Sequence, residues 1–131
     1  MTVLDNTVLD TNVLIEILKN NKQTIKQVES LSPPLFVSVI SAMELIYGAL
    51  NNKELKKLQQ FLSLFTIIQL NEKVSQQAFS LITKYAKSHT LDIPDALIAA
   101  SCLENNKTLF TYNRKDFRFI PKLTLLDEDI F

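Results

Sequence analysis

The chain has 131 residues of which 47% are hydrophobic, enough for one domain with its own core, predicted to span residues 1–131. Basic and acidic side chains, 14 of each, cancel to zero net charge, so overall charge cannot attract nucleic acid. A single cysteine, Cys102, and a single histidine, His89, exclude an internal disulfide, thiolate zinc cages and paired catalytic histidines. No apolar run approaches the roughly 20 residues of a membrane helix. We therefore expect a cytoplasmic protein without a membrane segment.

Strands and helices alternate along the predicted chain. In chain order the pattern predicts a strand at 2–9, a helix after residue 10, a helix at 20–32, a strand at 35–39, helices at 41–50 and 53–65, a strand at 66–70, helices at 72–87 and 94–104, and short strands at 108–111 and 123–126. Parallel strands need crossover connections, and helices supply them here. The fold class is therefore α/β, with a mostly parallel sheet of four or five strands and helices on both faces.

Four acidic residues stand directly after a predicted strand or at a predicted helix start: Asp10, Glu44, Asp95 and Asp116. Sites in parallel sheets lie beyond the carboxyl ends of the strands, so these side chains are expected to converge on one rim. Converging carboxylates repel one another unless a cation lies between them, and oxygen ligands favour Mg²⁺ or Mn²⁺. Such a site can polarise a phosphoryl oxygen and activate water, which is the chemistry of phosphodiester cleavage.

Each acid also has a purely structural interpretation. Asp10 can cap the first helix, and Glu44 has the capping-box spacing to the serine three positions before it. Asp95 can be a first-turn acid behind an Asp92 cap, and Asp116 can be an ordinary turn residue. The residues alone leave these alternatives open.

Four segments of the chain, taken together, resemble a known family. They are VLDTNVLI at 8–15, SAMELIYGA at 41–49, DIPDALIAA at 92–100 and TYNRKDF at 111–117, followed by Ile-Pro at 120–121 and an apolar ending at 123–126. In order and spacing they resemble PIN-domain proteins, specifically the VapC-type toxins of bacterial toxin-antitoxin pairs. The likeness spans essentially the whole chain.

The resemblance implies a PIN fold, Mg²⁺ or Mn²⁺ dependence, and an endoribonuclease that hydrolyses RNA through metal-activated water. It further implies a cognate VapB-like antitoxin as partner, with operator DNA contacted only through that antitoxin. By position, Asp10, Glu44, Asp95 and Asp116 correspond to the family's metal-binding and catalytic acids. The supporting or substrate-binding residues are expected to be Thr11, Asn12, Thr111, Asn113, Arg114 and Lys115.

Arg114 and Lys115 belong to a short basic cluster, with Arg118 and Lys122, around Asp116. Positive charge beside a metal site can grip phosphates on either side of a scissile bond. The alternative for this cluster is a solvated loop.

Several apolar residues are candidates for contacts with partners. Leu58, Phe61, Leu62 and Phe65, with the apolar face of the first helix, predict a homodimer and an antitoxin groove. Tyr47 and Phe117 can stack on RNA bases, although core or subunit contacts are the commoner role. Cys102 is predicted to be a packed core thiol.

Two other functions compete with a ribonuclease. One is a non-catalytic PIN-like scaffold that binds RNA or protein, which loss of several acids would indicate, and all four are retained. The other is a phosphoacceptor α/β domain, but Asp5 is too far from Asp10 to form its acidic pair. No motif identifies the RNA substrate, since RNA recognition depends on shape and single-stranded loops.

Overall fold

The computed structural model describes residues 5–131, so residues 2–4 of the first predicted strand lie outside the described part. Strands and helices alternate as predicted. In chain order they are β1 (Thr7–Leu9), α1 (Thr11–Leu18), α2 (Lys22–Glu29), β2 (Phe36–Ser38), α3 (Val39–Tyr47), α4 (Asn52–Leu62), β3 (Thr66–Ile68), α5 (Glu72–His89), α6 (Ile93–Glu104), β4 (Thr108–Phe110) and the short 3₁₀ helices η1 (Arg114–Asp116) and η2 (Glu128–Ile130).

The four strands form one parallel sheet in the order β3-β2-β1-β4. β1 is central, and Val8 pairs with Phe36 on one side and Leu109 on the other. The side chains of Val8 and Leu9 are both fully buried, as expected where helices cover both faces of a sheet. The predicted fold class is confirmed.

Alternate residues of the strands enter two separate cores. Val8 and Leu109 pack with residues of α5 and α6, whereas Leu9 and Phe110 pack with residues of α1, α3 and α4. This follows from the two-residue period of a strand, which sends neighbouring side chains to opposite faces. The carboxyl ends of the strands are thus held from both sides.

The predicted fifth strand at 123–126 forms only one bridge, between Leu109 and Leu125. Two backbone bonds support it, from Leu109 N to the Thr124 carbonyl at 2.9 Å and from Leu126 N to the Leu109 carbonyl at 2.8 Å. β4 is itself three residues long, and the chain turns into η2 two residues after Leu126. The sheet therefore has four strands among the described residues.

The start of α3 differs from the prediction. Ser38 is its N-cap and accepts a hydrogen bond from Ile40 N at 3.1 Å, so the expected capping box ending at Glu44 is wrong. β2 runs into α3 without a loop, and the apolar Val39 fits a strand and a helix equally well. Glu44 consequently lies in the second half of α3 and does not open it.

The apolar residues singled out in α4 are more buried than expected. Leu58 and Leu62 belong to the core, while Phe61 and Phe65 are half-buried and meet edge to face with ring centroids 5.2 Å apart. Large exposed apolar side chains lie elsewhere instead, chiefly Tyr47, Leu50, Leu64, Phe79 and Ile93.

Three smaller expectations are settled by burial. Cys102 is fully buried, which confirms the core thiol, and burial raises its pKa above the usual value. Phe117 is a core residue, whereas Tyr47 is 92% exposed. No helix of the described chain is both long and apolar enough to cross a membrane.

Candidate functional site

Asp10 lies where β1 ends and α1 begins, and it is 4% exposed. One carboxylate oxygen, Oδ1, accepts a hydrogen bond from Thr11 N at 2.8 Å, which is the predicted helix cap. The other, Oδ2, accepts from Thr111 Oγ1 at 2.7 Å and from Asn12 Nδ2 at 3.3 Å. A cap alone does not require burial, which costs free energy for a charged group. Asp10 is therefore more deeply buried than a helix cap requires.

Thr111, directly after β4, orients the Asp10 carboxylate from across the sheet. Its hydroxyl donates to Asp10 and accepts from Asn12 Nδ2 at 3.2 Å and from Asn113 N at 3.0 Å. Asn12 in turn accepts from Tyr112 N at 3.1 Å through Oδ1. One donor and two acceptor positions of the hydroxyl are thus all used. Asn113 contributes its backbone here, and its side chain is exposed.

Glu44 reaches the same rim from α3 through Thr11. Thr11 Oγ1 lies 2.8 Å from Glu44 Oε1 and 2.8 Å from Ser41 Oγ. A hydroxyl has one proton, and the carboxylate is the stronger acceptor of the two. Thr11 therefore fixes the exposed carboxylate of Glu44 relative to the first residue of α1.

Asp95 lies in the first turn of α6, where its backbone N donates to Asp92 Oδ1 at 2.9 Å. Asp92 is the N-cap, as the capping interpretation expected. Burial is the largest cause that raises the pKa of Asp95 to about 7, followed by the negative charges of Asp92, Asp10, Asp116 and Glu44.

Asp116 ends η1 and is half-buried. Its charge, with that of Glu44, also raises the pKa of Asp10, although burial is the main cause and hydrogen bonds from Thr111 and Thr11 act against it. The structure therefore brings Glu44 and Asp116 close enough to Asp10 and Asp95 for their charges to raise the pKa of both.

The two basic residues predicted beside Asp116 differ in their surroundings. Arg114 Nη1 donates to the Leu126 carbonyl at 2.6 Å, which holds the chain segment after β4 and was not expected. Lys115 is exposed. Of this pair, Lys115 is the one whose side chain extends into solvent next to the acidic rim.

The donor set has the chemistry that Mg²⁺ or Mn²⁺ prefers, since four carboxylates supply oxygen ligands and excess negative charge. Within residues 5–131 no three acidic, histidine or cysteine side chains are grouped closely enough to hold one ion by themselves. Mg²⁺ usually binds through one or two carboxylates and keeps several waters, so a three-carboxylate cage is not required. The residues fit a partly hydrated divalent cation.

Sequence reasoning missed two residues of this site. Ser41 is fully buried against Thr11, and its signal was its position one helical turn before Glu44. Tyr112 lies beside Thr111 and bonds through its backbone to Asn12, which no spacing rule indicates because the two residues are 100 positions apart.

Comparison with known proteins agrees with this geometry. The family model described as PIN domain matches residues 7–123. "Ribonuclease VapC1" of Methanocaldococcus jannaschii is 31% identical over 119 residues, which cover 89% of this chain and 82% of that protein. "Ribonuclease VapC" of Rickettsia bellii is 28% identical, covering 91% and 93%. A solved toxin-antitoxin complex from Klebsiella pneumoniae has a chain with a TM-score of 0.78 and 28% identity, covering 90% and 95%.

The family model extends from the first residue of β1 to beyond Asp116, so it includes all four acids of the rim. The resemblance of the four sequence segments is thereby confirmed. The chain belongs to the PIN domain family and, within it, to the VapC-type proteins.

Proposed function

We propose that this protein is a metal-dependent endoribonuclease that hydrolyses RNA phosphodiester bonds and acts as the toxin of a toxin-antitoxin pair. The observation that carries the proposal is the buried Asp10 carboxylate at a rim where the charges of Glu44 and Asp116 raise the pKa of both Asp10 and Asp95. Membership of the VapC-type proteins, two of which are named ribonucleases, supports the reaction. Grouping like charges around a buried carboxylate is costly, and a divalent cation between them would offset that cost.

Mg²⁺ or Mn²⁺ is the proposed cofactor, with Asp10, Asp95 and Asp116 as principal ligands, some of them through bound water, and Glu44 as a ligand or water-orienting base. When bound, the cation would polarise a phosphoryl oxygen and lower the pKa of water. Thr111 and Asn12 hold Asp10 Oδ2 in one orientation, and Thr11 holds Glu44. These hydrogen bonds fix the oxygens before substrate arrives, which lowers the cost of positioning during the reaction.

Lys115 and Asn113 are the proposed contacts to the RNA backbone, because both are exposed beside the half-buried Asp116. A lysine ammonium can neutralise a phosphate next to the cleaved bond. Arg114 remains a proposed phosphate contact as well, through the guanidinium nitrogens other than the one bonded to Leu126.

An antitoxin is the proposed protein partner, as in the Klebsiella pneumoniae complex. We propose that an apolar segment of the antitoxin binds in a cavity of about 260 Å³ between α1, α2 and α4. The cavity is lined chiefly by apolar side chains, namely Ile17, Ile25, Val28, Leu35, Phe61, Leu64 and Phe65. Operator DNA would be contacted only through that partner.

A homodimer is proposed from a different surface. Phe79 and Ile93, which are 76% and 66% exposed, line one apolar cavity together, and Tyr47 is 92% exposed at the end of α3. A second copy of the chain would cover this apolar surface. Sedimentation that gives a monomer at high protein concentration would contradict this proposal.

The decisive experiment replaces Asp10 by asparagine. Asp10→Asn keeps the side-chain size and removes the charge, and we expect it to abolish Mg²⁺-dependent or Mn²⁺-dependent cleavage of single-stranded RNA while circular dichroism shows the native fold. Asp129→Asn is the matched control, since Asp129 is exposed in η2. Cleavage by Asp10→Asn at the wild-type rate would refute the assignment. Tight RNA binding by the wild type without any cleavage would favour a non-catalytic scaffold.

A further inference from the structure

A polar cavity of about 590 Å³ opens between α1 and α2 next to the acidic rim. It falls within the size range of small-ligand sites. Its wall is formed by both helices and by Tyr112, which follows the Thr111 that orients Asp10. The four acids of the rim are not among its lining residues.

The cavity is joined to the acidic rim through Asn12. This side chain lines the cavity and also donates to Asp10 Oδ2 at 3.3 Å, while its Oδ1 accepts from Tyr112 N at 3.1 Å. Tyr112 is fixed at its other end too, because its hydroxyl lies 2.7 Å from Thr24 Oγ1 and donates to Gln27 Oε1 at 2.7 Å. A molecule in this cavity therefore lies one side chain away from the acidic rim, against a wall that is already ordered.

The charges in the wall are balanced. Glu16 Oε2 lies 3.6 Å from Lys19 Nζ, and Glu16 Oε1 accepts from Asn21 Nδ2 at 3.1 Å. The other polar lining side chains are neutral hydroxyls and amides. A wall of this kind offers a phosphate no surplus positive charge, but it suits a neutral ligand that presents hydrogen-bond donors and acceptors at its edge.

Two amide groups are placed to recognise such an edge. Gln27 uses Oε1 for Tyr112, and its Nε2 makes no hydrogen bond to any described residue. Gln23 lies one helical turn earlier on α2 and is exposed at the same cavity. Glutamine and asparagine amides recognise the edges of nucleobases, and single-stranded RNA exposes those edges together with stacking faces.

We propose that this cavity binds the base of a single-stranded RNA nucleotide flanking the cleaved bond, with Gln27 and Gln23 as the residues that select the base. The inference rests on the proposed ribonuclease function and adds a sequence-selecting subsite to it. The balanced charges exclude the phosphate as the main ligand of the cavity, which leaves phosphate binding to the rim and its basic neighbours.

Gln27→Glu tests the proposal most directly. Glutamate keeps the oxygen that accepts from Tyr112, removes the amide donor and adds a negative charge. The probe is a set of short single-stranded oligoribonucleotides that differ only in the base next to the cleaved bond. We expect kcat/KM for the preferred base to fall about tenfold, mainly through KM, and the preference among the four bases to flatten.

Gln60→Glu is the matched control, because Gln60 is an exposed glutamine in the last turn of α4, away from the cavity, and its change alters net charge equally. Its kcat/KM values should equal those of the wild type. Gln23→Glu is a second variant, to be used in case Gln27→Glu does not fold. It is not expected to disturb folding, because an acid in the first turn of α2 is favourable and the position is exposed. It should flatten base preference in the same direction.

The outcomes are distinguishable. If the wild type cleaves the RNA set with a base preference that Gln27→Glu and Gln23→Glu both retain, the subsite is overturned and the ribonuclease stands. If the wild type cleaves none of the set, the proposed function fails first and the subsite fails with it. Unchanged cleavage by the variants with weakened capture of purified cognate antitoxin assigns the cavity to a protein segment, which also overturns the proposal.

Discussion

The carboxylates at the end of β1 and at the start of α6 differ in burial and in hydrogen bonding, since Asp10 is buried and Asp95 is half-buried. Asp10 accepts hydrogen bonds from Thr11, Thr111 and Asn12, whereas the carboxylate of Asp95 accepts none from any described residue. Donors to a carboxylate stabilise its charged form, and burial without donors favours the neutral form. Hydrogen bonds within the protein thus stabilise the charged form of Asp10. The carboxylate of Asp95 has no such donor, and a bound cation would be needed to stabilise its charge.

The largest effect on this pair of carboxylates is expected when the hydrogen bond from Thr111 to Asp10 is removed. Thr111→Val keeps the side-chain shape, removes the donor to Asp10, leaves Asn113 N without its acceptor, and leaves Asn12 Nδ2 with Asp10 Oδ2 alone. We expect the free energy of unfolding to fall by about 2–3 kcal/mol, because buried polar groups lose their partners. Loss of the residue that orients a ligand should also weaken metal binding or cleavage by about 10–100-fold. Urea denaturation and initial cleavage rates measure the two effects.

The matched control for Thr111→Val is the same replacement at Thr7. Thr7 is fully buried in β1, and its hydroxyl makes no hydrogen bond within the described chain. Thr7→Val should therefore leave cleavage unchanged and raise stability by about 1 kcal/mol. Equal losses of stability and cleavage in the two variants would show that the hydrogen bond to Asp10 has no special role.

At Asp95 the expected effect is a change in stability with pH. Its pKa is about 7 in the folded chain, above the usual 3.8, so the folded state binds more protons than the unfolded state between these values. The contribution of Asp95 to the stability of the metal-free protein should therefore be fully present below about pH 4 and be lost as pH rises to about 7. At pH 8 Asp95→Asn should stabilise the metal-free protein by about 1–2 kcal/mol, a figure reduced for partial solvent exposure.

Denaturation in EDTA at pH 4.5 and pH 8 tests this prediction. The difference between wild type and Asp95→Asn should be small at the lower pH and large at the higher one. Added Mg²⁺ should then stabilise the wild type at pH 8 more than the variant, because a ligand stabilises the state that binds it. If the free energies of unfolding of wild type and Asp95→Asn differ by the same amount at both pH values, the charge of Asp95 does not destabilise the metal-free protein.

The smallest effect is expected at Asp92, the residue that caps α6 and whose charge is the largest electrostatic cause of the raised Asp95 pKa. Asp92→Asn keeps a capping oxygen and removes the charge, so stability at pH 4.5 should change by less than about 0.5 kcal/mol. The pH at which Asp95 titrates should move downward, as followed by NMR of its carboxyl carbon. An unmoved titration would mean that the charge of Asp92 does not raise the pKa of Asp95.

The predictable part of the fold came from apolar periodicity. Alternating runs predicted a parallel sheet with helices on both faces, and the order of strands and helices is confirmed. The two predictions about element boundaries that were wrong, the start of α3 and the strand at 123–126, share a cause. Val39 and Ile40 suit a strand and a helix equally, and 123–126 looks like a strand although the chain leaves the sheet after one bridge. Local pattern cannot distinguish these states because partners distant in sequence decide between them.

The four acids, the positions of Asp10 at a strand end and Asp95 at a helix start, and the family of the chain could all be predicted from the sequence alone. Only the tertiary structure decided how each acid is held. Thr111 bonds to Asp10 across 101 positions, Thr11 bonds to Glu44 across 33, and Asp95 lies half-buried with no donor among the described residues. The physical reason is that ionisation depends on burial and on neighbouring donors and charges, and these exist only once the strands have brought distant segments to one rim.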